Sequence, residues 1–463
     1  MSQIRRSRPI HDRLPLWWCC ILAATLAVLS LFGTRASGEE VSEIDELSRE
    51  IEQLEALTAE LEAGYTSLAA PPEQQLLEEV FVDEVAPGGW FEPVRLGDFP
   101  GSILIPGSNV SVKIGGYMKG DFIHDFDAIL DPDRFNVFTI PTDGRDGENT
   151  RLHARQTRLN LDARRPTPWG ELRGFVEGDF FAFDRDEDLF LTVQRTDLRL
   201  RHAFGELAGW LVGQTWTTLT HIEALPETVD FESPDAFIVT RRAQIRWSHD
   251  LTPCLAIAVA IEDPGAVVAD AAGLPLVTVV GRSREPSPDY VARIRYTGDN
   301  AELQFGGTVR QYAFQPDGGS INTEAGYSLI ASGILNLTEN QTFKFQTGFG
   351  EGGGGFRGIP DAVPNNSGGL DVLDIFAATA GYTIQWTDHW RSTAVYAYGQ
   401  GTNTEFQEDD ALRAVEYMAI NLFWLPFDGT RLGVEYLYGT REDKDGSMGH
   451  ANRFQLGVWY DLP

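Results

Sequence analysis

The chain has 463 residues, with 37 Lys and Arg against 68 Asp and Glu, a formal net charge of −31. So acidic a chain does not bind nucleic acid through its bulk field, and its length suits one large barrel or two to three ordinary domains. Past residue 36 no run of 18 or more apolar residues occurs, which excludes helical membrane spans but not a β-barrel, whose lipid face surfaces only at every second residue.

Four arginines, Arg5, Arg6, Arg8 and Arg13, precede an apolar run from Leu14 to Phe32 that ends at Thr34-Arg35-Ala36, a small-x-small pattern. Residues 1–36 therefore read as a secretory signal, with an uncleaved anchor helix as the alternative. Without them the net charge is −35. Cys19 and Cys20 fall inside the signal, so Cys254 alone would remain and no intramolecular disulfide could form. Export without crosslinks suits a bacterial envelope protein.

Between residues 41 and 68 the period changes. Ile44, Leu47, Ile51, Leu54, Leu61 and Leu68 alternate spacings of three and four, with Thr58 and Tyr65 in the remaining seam positions. This is a heptad seam among charged flanks, and it predicts a coiled coil and hence an oligomer; the Ile and Leu choice is the one associated with two parallel strands. From 69 to 109, Pro71-Pro72, Pro87-Gly88-Gly89, Pro93, Pro100-Gly101 and Pro106-Gly107 interrupt regular structure and mark a linker or plug-like segment.

From residue 110 to 463 the pattern is period two, the signature of strands. In "RTDLRLRHAFGELAGWLVGQTW", Arg195 to Trp216, Leu198, Leu200 and Phe204 share one face and Asp197, Arg199 and Arg201 the other, with a turn at Phe204-Gly205-Glu206. About sixteen such strands follow one another, from 110–122 to 451–462. Even-to-odd junctions ("RPTP", "HDLTP", "GDN", "TEN", "TDH", "PFDG") have hairpin length, whereas odd-to-even junctions such as 123–150, 218–238, 314–324, 351–372 and 440–450 are long. Short turns on one rim and long loops on the other predict an all-β fold, a closed antiparallel transmembrane β-barrel in the outer membrane of a Gram-negative cell. Aromatics toward strand ends, including Tyr290, Tyr296, Trp386, Trp390, Trp424, Tyr436, Trp459 and Tyr460, fit interfacial girdles.

"GSILIPGSNVSVKIGGYMKGDFIHDFD" from Gly101, "RQTRLNLDARRPT" and "LVGQTWTTL" from Leu211 resemble the general trimeric porins, and among them the DcaP-like porins of Gram-negative outer membranes. The resemblance implies a homotrimer seated among outer-membrane lipid and lipopolysaccharide, a periplasmic coiled coil, an inward-folded third loop and passive uptake of small, often carboxylate-bearing solutes. The chain departs from the usual terminal aromatic by ending "FQLGVWYDLP".

With Leu159 and Leu161 toward lipid, alternation sends Arg158, Arg164, Arg173, Arg199, Arg201, Arg242, Arg246, Arg293 and Arg295 inward. Such a ladder of planar, permanently charged groups could pass anions in small steps. Across from it, Glu223, Glu227, Asp230, Glu232 and Asp235 of the third long loop would form an acidic wall. The competing reading is that the arginines only neutralise Asp162, Glu177, Asp179 and Asp197, and that the loop lies outside.

Other motifs fail on context. Gly348, Gly350 and Gly353 match GxGxxG but no helix follows. Asp184, Asp186 and Asp188 alternate like a calcium loop, yet its sixth position is Leu189 and its twelfth Arg195. No HExxH and no GxSxG is present, so neither metal nor cofactor is expected, and a channel is preferred to a barrel hydrolase or an envelope tether.

Overall fold

The computed structural model describes residues 95–462 apart from 183–196, 232–233, 266, 269–278 and 353–359. The expected signal at 1–36, the coiled coil at 41–68 and the linker up to residue 94 lie outside the described residues.

Sixteen antiparallel strands follow one another around a ring: β1 (Ser111–Asp125), β2 (Asn149–His153 and Arg158–Thr167), β3 (Gly170–Asp179), β4 (Arg199–Leu207), β5 (Trp210–Trp216), β6 (Arg241–Thr252), β7 (Leu255–Glu262) and β8 (Gly281–Arg284 and Asp289–Thr297). The second half is β9 (Ala301–Pro316), β10 (Asn322–Thr338), β11 (Gln341–Glu351), β12 (Asp374–Thr387), β13 (Trp390–Gly401), β14 (Leu412–Phe427), β15 (Thr430–Asp443) and β16 (Met448–Asp461). β16 pairs back on β1, from Arg453↔Asp125 to Asp461↔Tyr117, so the sheet has no free edge. β8 breaks at 285–288, where Pro286 and Pro288 have no N–H for the ladder. Among the described residues there is no α-helix, only two 3₁₀ turns, Val137–Thr139 and Ile222–Ala224.

Seven connections on one rim have two or three residues, such as 208–209, 298–300 and 428–429, and the opposite rim carries the loops. Two of the eight loops expected to be long are tight, 317–321 and 444–447, because β9, β10, β15 and β16 run on as paired hairpins past the point where their alternation fades. The apolar surface faces out and the polar surface in, the reverse of a soluble protein. On β14, Ile420 is 60% exposed whereas the neighbouring Asn421 is 4% exposed.

Two expectations about facing are corrected. β4 carries a bulge: Glu177 pairs with His202 and Gly178 with Leu200, leaving Arg201 unpaired. Arg201 and His202 therefore both turn inward, and Phe204 follows them into the lumen instead of facing lipid with Leu198 and Leu200. Gln214 donates to the carbonyls of Leu200 and Arg201 at 3.3 and 3.2 Å and so satisfies the disturbed ladder. The turn expected at 204–206 sits instead at Ala208-Gly209. Trp459, expected in the girdle, is 7% exposed and faces the bore, while Tyr460 beside it is 56% exposed.

The loop-side half of the bore is not empty. Phe135 and Val137 of the first loop (126–148), Ile238 of the third (217–240), and Ala362, Val363 and Leu370 of the sixth (352–373) pack with Tyr312, Phe314, Ile375 and Tyr417 of the wall. Each large apolar side chain so buried contributes about 1.5–3 kcal/mol, which is why these loops fold inward. The short strands Ala362–Pro364 and Leu370–Val372 pair with each other within this cluster.

Candidate permeation site

Loop 3 leaves β5 and crosses the bore, bonded in turn to much of the wall. Glu262 on β7 accepts from Thr218 N at 2.6 Å; Gln304 on β9 donates to Leu219 O at 2.8 Å; His221 meets Ser332 on β10 and Glu302 on β9. Farther on, Lys344 on β11 donates to Leu225 O, Asn421 on β14 to Glu227 O at 2.8 Å, and Lys119 on β1 to Val229 O at 2.7 Å. Glu435 on β15 accepts from Val229 N at 3.0 Å and Asp230 N at 2.8 Å. Buried backbone donors and acceptors need such partners, and the wall supplies them from Thr218 to Asp230.

The nine arginines fall into two groups. On β2 to β4, Arg164 and Arg173 are cross-strand partners that share Asp162, and Arg173 also reaches Glu206 at 3.3 Å. Arg199 grips Asp179 through two hydrogen bonds of 3.0 and 2.9 Å; Arg201 bonds Glu177 and Asp179, both at 2.9 Å; and Arg158 lies 3.5 Å from Glu177. With Glu171 3.5 Å from Arg164, five guanidiniums are here interleaved with five carboxylates, so their charge is compensated locally.

The second group is different. Arg242, Arg246, Arg293 and Arg295 project from β6 and β8 past the small inward side chains of β7, Ala258 and Ala260, which are 1% and 8% exposed. Arg295 lies 3.3 Å from Glu302 and 3.7 Å from Glu223. Arg242 bonds the carbonyls of Pro264 and Gly265, and Arg293 bonds the Gln304 amide oxygen. Among the described residues no carboxylate lies within 4 Å of Arg242, Arg246 or Arg293.

The acidic residues do not make one wall. Glu223 stands beside Arg295, and Glu227 beside Arg391 and Arg431. Asp230 and Asp235 are buried, at 5% and 3% exposure, and accept from the backbone of loop 1, at Phe135 N and Val137 N. Their anionic oxygens are engaged in holding two loops together. Glu232 lies outside the described residues.

Between loop 3 and the wall a cavity of 560 Å³ is lined by Arg158, Arg201, Arg241, Arg431, Glu177 and Glu227 together with Tyr117, Phe175, Phe204, Trp216, Phe231, Phe423 and Trp459. Guanidiniums lie over several of these rings, Arg241 at 4.7 Å from Trp216 and Arg201 at 5.8 Å from Phe231. Sequence reasoning missed Arg241, Arg391 and Arg431. Arg391 and Arg431 each open a strand directly after a short turn, where alternation has only begun, and Arg241 opens the strand after loop 3.

A metal was not expected. His221, Glu223 and Glu302 do bring ligand atoms within 4.8 Å of one another, but Arg295 already places a cation against both carboxylates.

The family model described as DcaP outer membrane protein matches residues 104–462. The crystal structure of the outer membrane channel DcaP of Acinetobacter baumannii shares 23% identity and a TM-score of 0.67, over 76% of this chain and 97% of that one. The anion-selective porin from Comamonas acidovorans, 9% identical, matches with a TM-score of 0.50 over 76% of this chain and 100% of its own. No curated protein sequence matches the chain. At these identities the two structures speak to the fold, a sixteen-stranded porin barrel.

Proposed function

The chain belongs to the DcaP outer membrane protein family, and from that premise we propose that its barrel is a water-filled channel for passive diffusion of small hydrophilic anions, carboxylates above all, across the outer membrane. One observation carries the selectivity: Arg242, Arg246 and Arg293 face the bore with no carboxylate within ion-pair distance among the described residues. Uncompensated guanidiniums in a narrow aqueous passage with low-dielectric walls concentrate anions and repel cations. The interleaved group on β2 to β4 adds exchangeable carboxylate partners more than net field, so that a solute carboxylate can be handed from one fork to the next without tight binding. The aromatic rings beside those forks accept the solute's apolar body.

Reversal potentials across a salt gradient test this reading. Wild type should prefer anions, and Arg246→Glu with Arg293→Glu should lower the anion-to-cation permeability ratio several-fold, further than Arg199→Glu with Arg201→Glu. A wild-type channel that prefers cations, or an unchanged ratio in the first pair, refutes it.

The remaining parts of the proposal concern assembly. The functional unit is a homotrimer among lipopolysaccharide and lipid, non-enzymatic, its signal at 1–36 removed and the heptad seam at 41–68 forming a periplasmic coiled coil. Support comes from Arg95–Leu96, which pairs with Ile103–Leu104, which in turn pairs with the first residues of β1 at the short-turn rim. The chain thus enters the barrel from the rim that faces the periplasm in this fold. Three equal conductance steps per insertion are the expected signature.

A further inference from the structure

Two guanidiniums on the wall of β13 to β16 converge on a single carboxylate oxygen. Arg391, second residue of β13, places Nη2 2.6 Å from Glu227 Oε1, and Arg431, second residue of β15, places Nη1 3.8 Å from the same atom. Arg431 Nη2 also lies 3.7 Å from Asp461 Oδ1.

Two features set this apart from an ion pair that merely fixes a loop. The first is redundancy. Loop 3 is held at this point through its backbone: Asn421 donates to Glu227 O, and Val229 N and Asp230 N donate to Glu435. The second is an excess of donors. A guanidinium offers five N–H groups, and Nε of both Arg391 and Arg431 is buried without a hydrogen-bond partner among the described residues. One oxygen of Glu227 shared by both guanidiniums, with Asp461 3.7 Å from Arg431 alone, leaves the pair under-satisfied. The three side chains are 23%, 30% and 26% exposed for Arg391, Arg431 and Glu227, so water and solutes reach them. Phe423 and Trp459 lie 5.7 and 5.3 Å from the two guanidinium carbons.

We propose that Arg391 and Arg431 form a seat for a small carboxylate anion and that Glu227 fills it as a tethered stand-in. An ion pair about a quarter exposed to solvent is of low net worth, and a tethered group acts at an effective concentration in the millimolar range, so free carboxylates at tens of millimolar compete for the seat. The exchange of Glu227 for a permeating solute rests on the anion-channel reading; the seat itself does not.

Chemical rescue tests the seat in the full-length channel. Glu227→Ala removes the side chain and keeps the backbone anchors. Sodium acetate and propionate, compared with sodium chloride at equal ionic strength, should raise the temperature at which the folded band of this variant converts on a gel, leave wild type unmoved, and lose the effect when Arg391→Gln is added. Equal temperatures in acetate and chloride overturn the proposal. Should Glu227→Ala not insert, Glu227→Gln is read by acetate-dependent current reduction: its half-effect concentration should fall about tenfold below wild type, given a millimolar tether, and an unchanged value overturns the proposal. Cation preference of wild type in a salt gradient would sink the anion-channel reading while leaving the rescue result to stand or fall on its own.

Discussion

Glu435 shows how one side chain holds a loop across the bore. It is 2% exposed and takes three donors: Val229 N, Asp230 N and Asn421 Nδ2, the last at 2.9 Å. Glu435→Gln keeps the shape but turns one acceptor into a donor that faces another donor. One buried N–H then loses its partner, at a cost of about 1–3 kcal/mol. The expected outcome is a lower unfolding temperature together with a larger, noisier single-channel conductance as the loop 3 tip loosens; a quiet conductance equal to wild type would show that the tip is held by its other contacts alone. The sequence reveals half of this. Glu435 stands between Val434 and Tyr436, 38% and 47% exposed, so alternation sends it inward. Its backbone partners lie 206 and 205 residues away, which no local pattern encodes. The same holds for Asp230 and Asp235. Their charge is plain in the sequence, but their engagement with loop 1 depends on two loops meeting inside the barrel.

At the scale of a hairpin, β4 and β5 turn through Ala208-Gly209, with φ of 53° and 82°. Both central residues have positive φ, the geometry of a type I′ hairpin that matches the twist of its strands. Glycine enters this region freely, whereas alanine in it costs about 1–2 kcal/mol. Ala208→Asn, which suits the left-handed region and the Asn-Gly preference of such turns, should therefore raise barrel stability by about 0.5–1 kcal/mol. Denaturant-induced unfolding in detergent measures it, and a loss of stability would mean that the turn does not persist in solution. The bulge on this same hairpin explains one of the two misread facings, that of Phe204. An extra residue at Arg201 shifts the phase by one without any compositional mark, so Phe204 reads as lipid-facing although it faces the lumen. For the topology the pattern suffices. The strand count, the order of the strands and the short-turn rim all follow from period two and turn residues, because every strand pairs with its sequence neighbour and a polar wall must face the water.

For the whole molecule, the width of the passage depends on how the loops fill the ring, and Arg310 is the joint that fixes two of them. Its side chain, on β9, is 4% exposed and bonds Asp289 of β8, Asp361 of loop 6 at 3.2 Å and the carbonyl of Gly265 in loop 4 (263–280) at 3.2 Å. Asp361 in turn accepts from Val267 N and donates its own N–H to Val267 O, and Val268 bridges Ala362 in parallel. Loops 4 and 6 are thus joined to each other here, and Arg310 ties both to the wall beside the contacts of Arg242 with Gly265 and of Tyr312 with Gly352. Sequence alternation places Arg310 on the inner face, yet its partners come from three separate segments and could not be read from spacing. Removing the cation strands two carboxylates in a dry site, a loss of about 3–5 kcal/mol. In a barrel whose strands remain fully paired, that loss is relieved by the loops moving out instead of by global unfolding. Arg310→Gln should therefore insert as a folded, heat-modifiable barrel with increased conductance and new protease sensitivity in loops 4 and 6. The triple variant that also carries Asp289→Asn and Asp361→Asn should recover much of the lost thermal stability, since no unpaired charge remains to be desolvated. If Arg310→Gln leaves both conductance and proteolysis unchanged, the loop-side apolar core built around Tyr312, Val363 and Leu370 closes the mouth without the ionic joint.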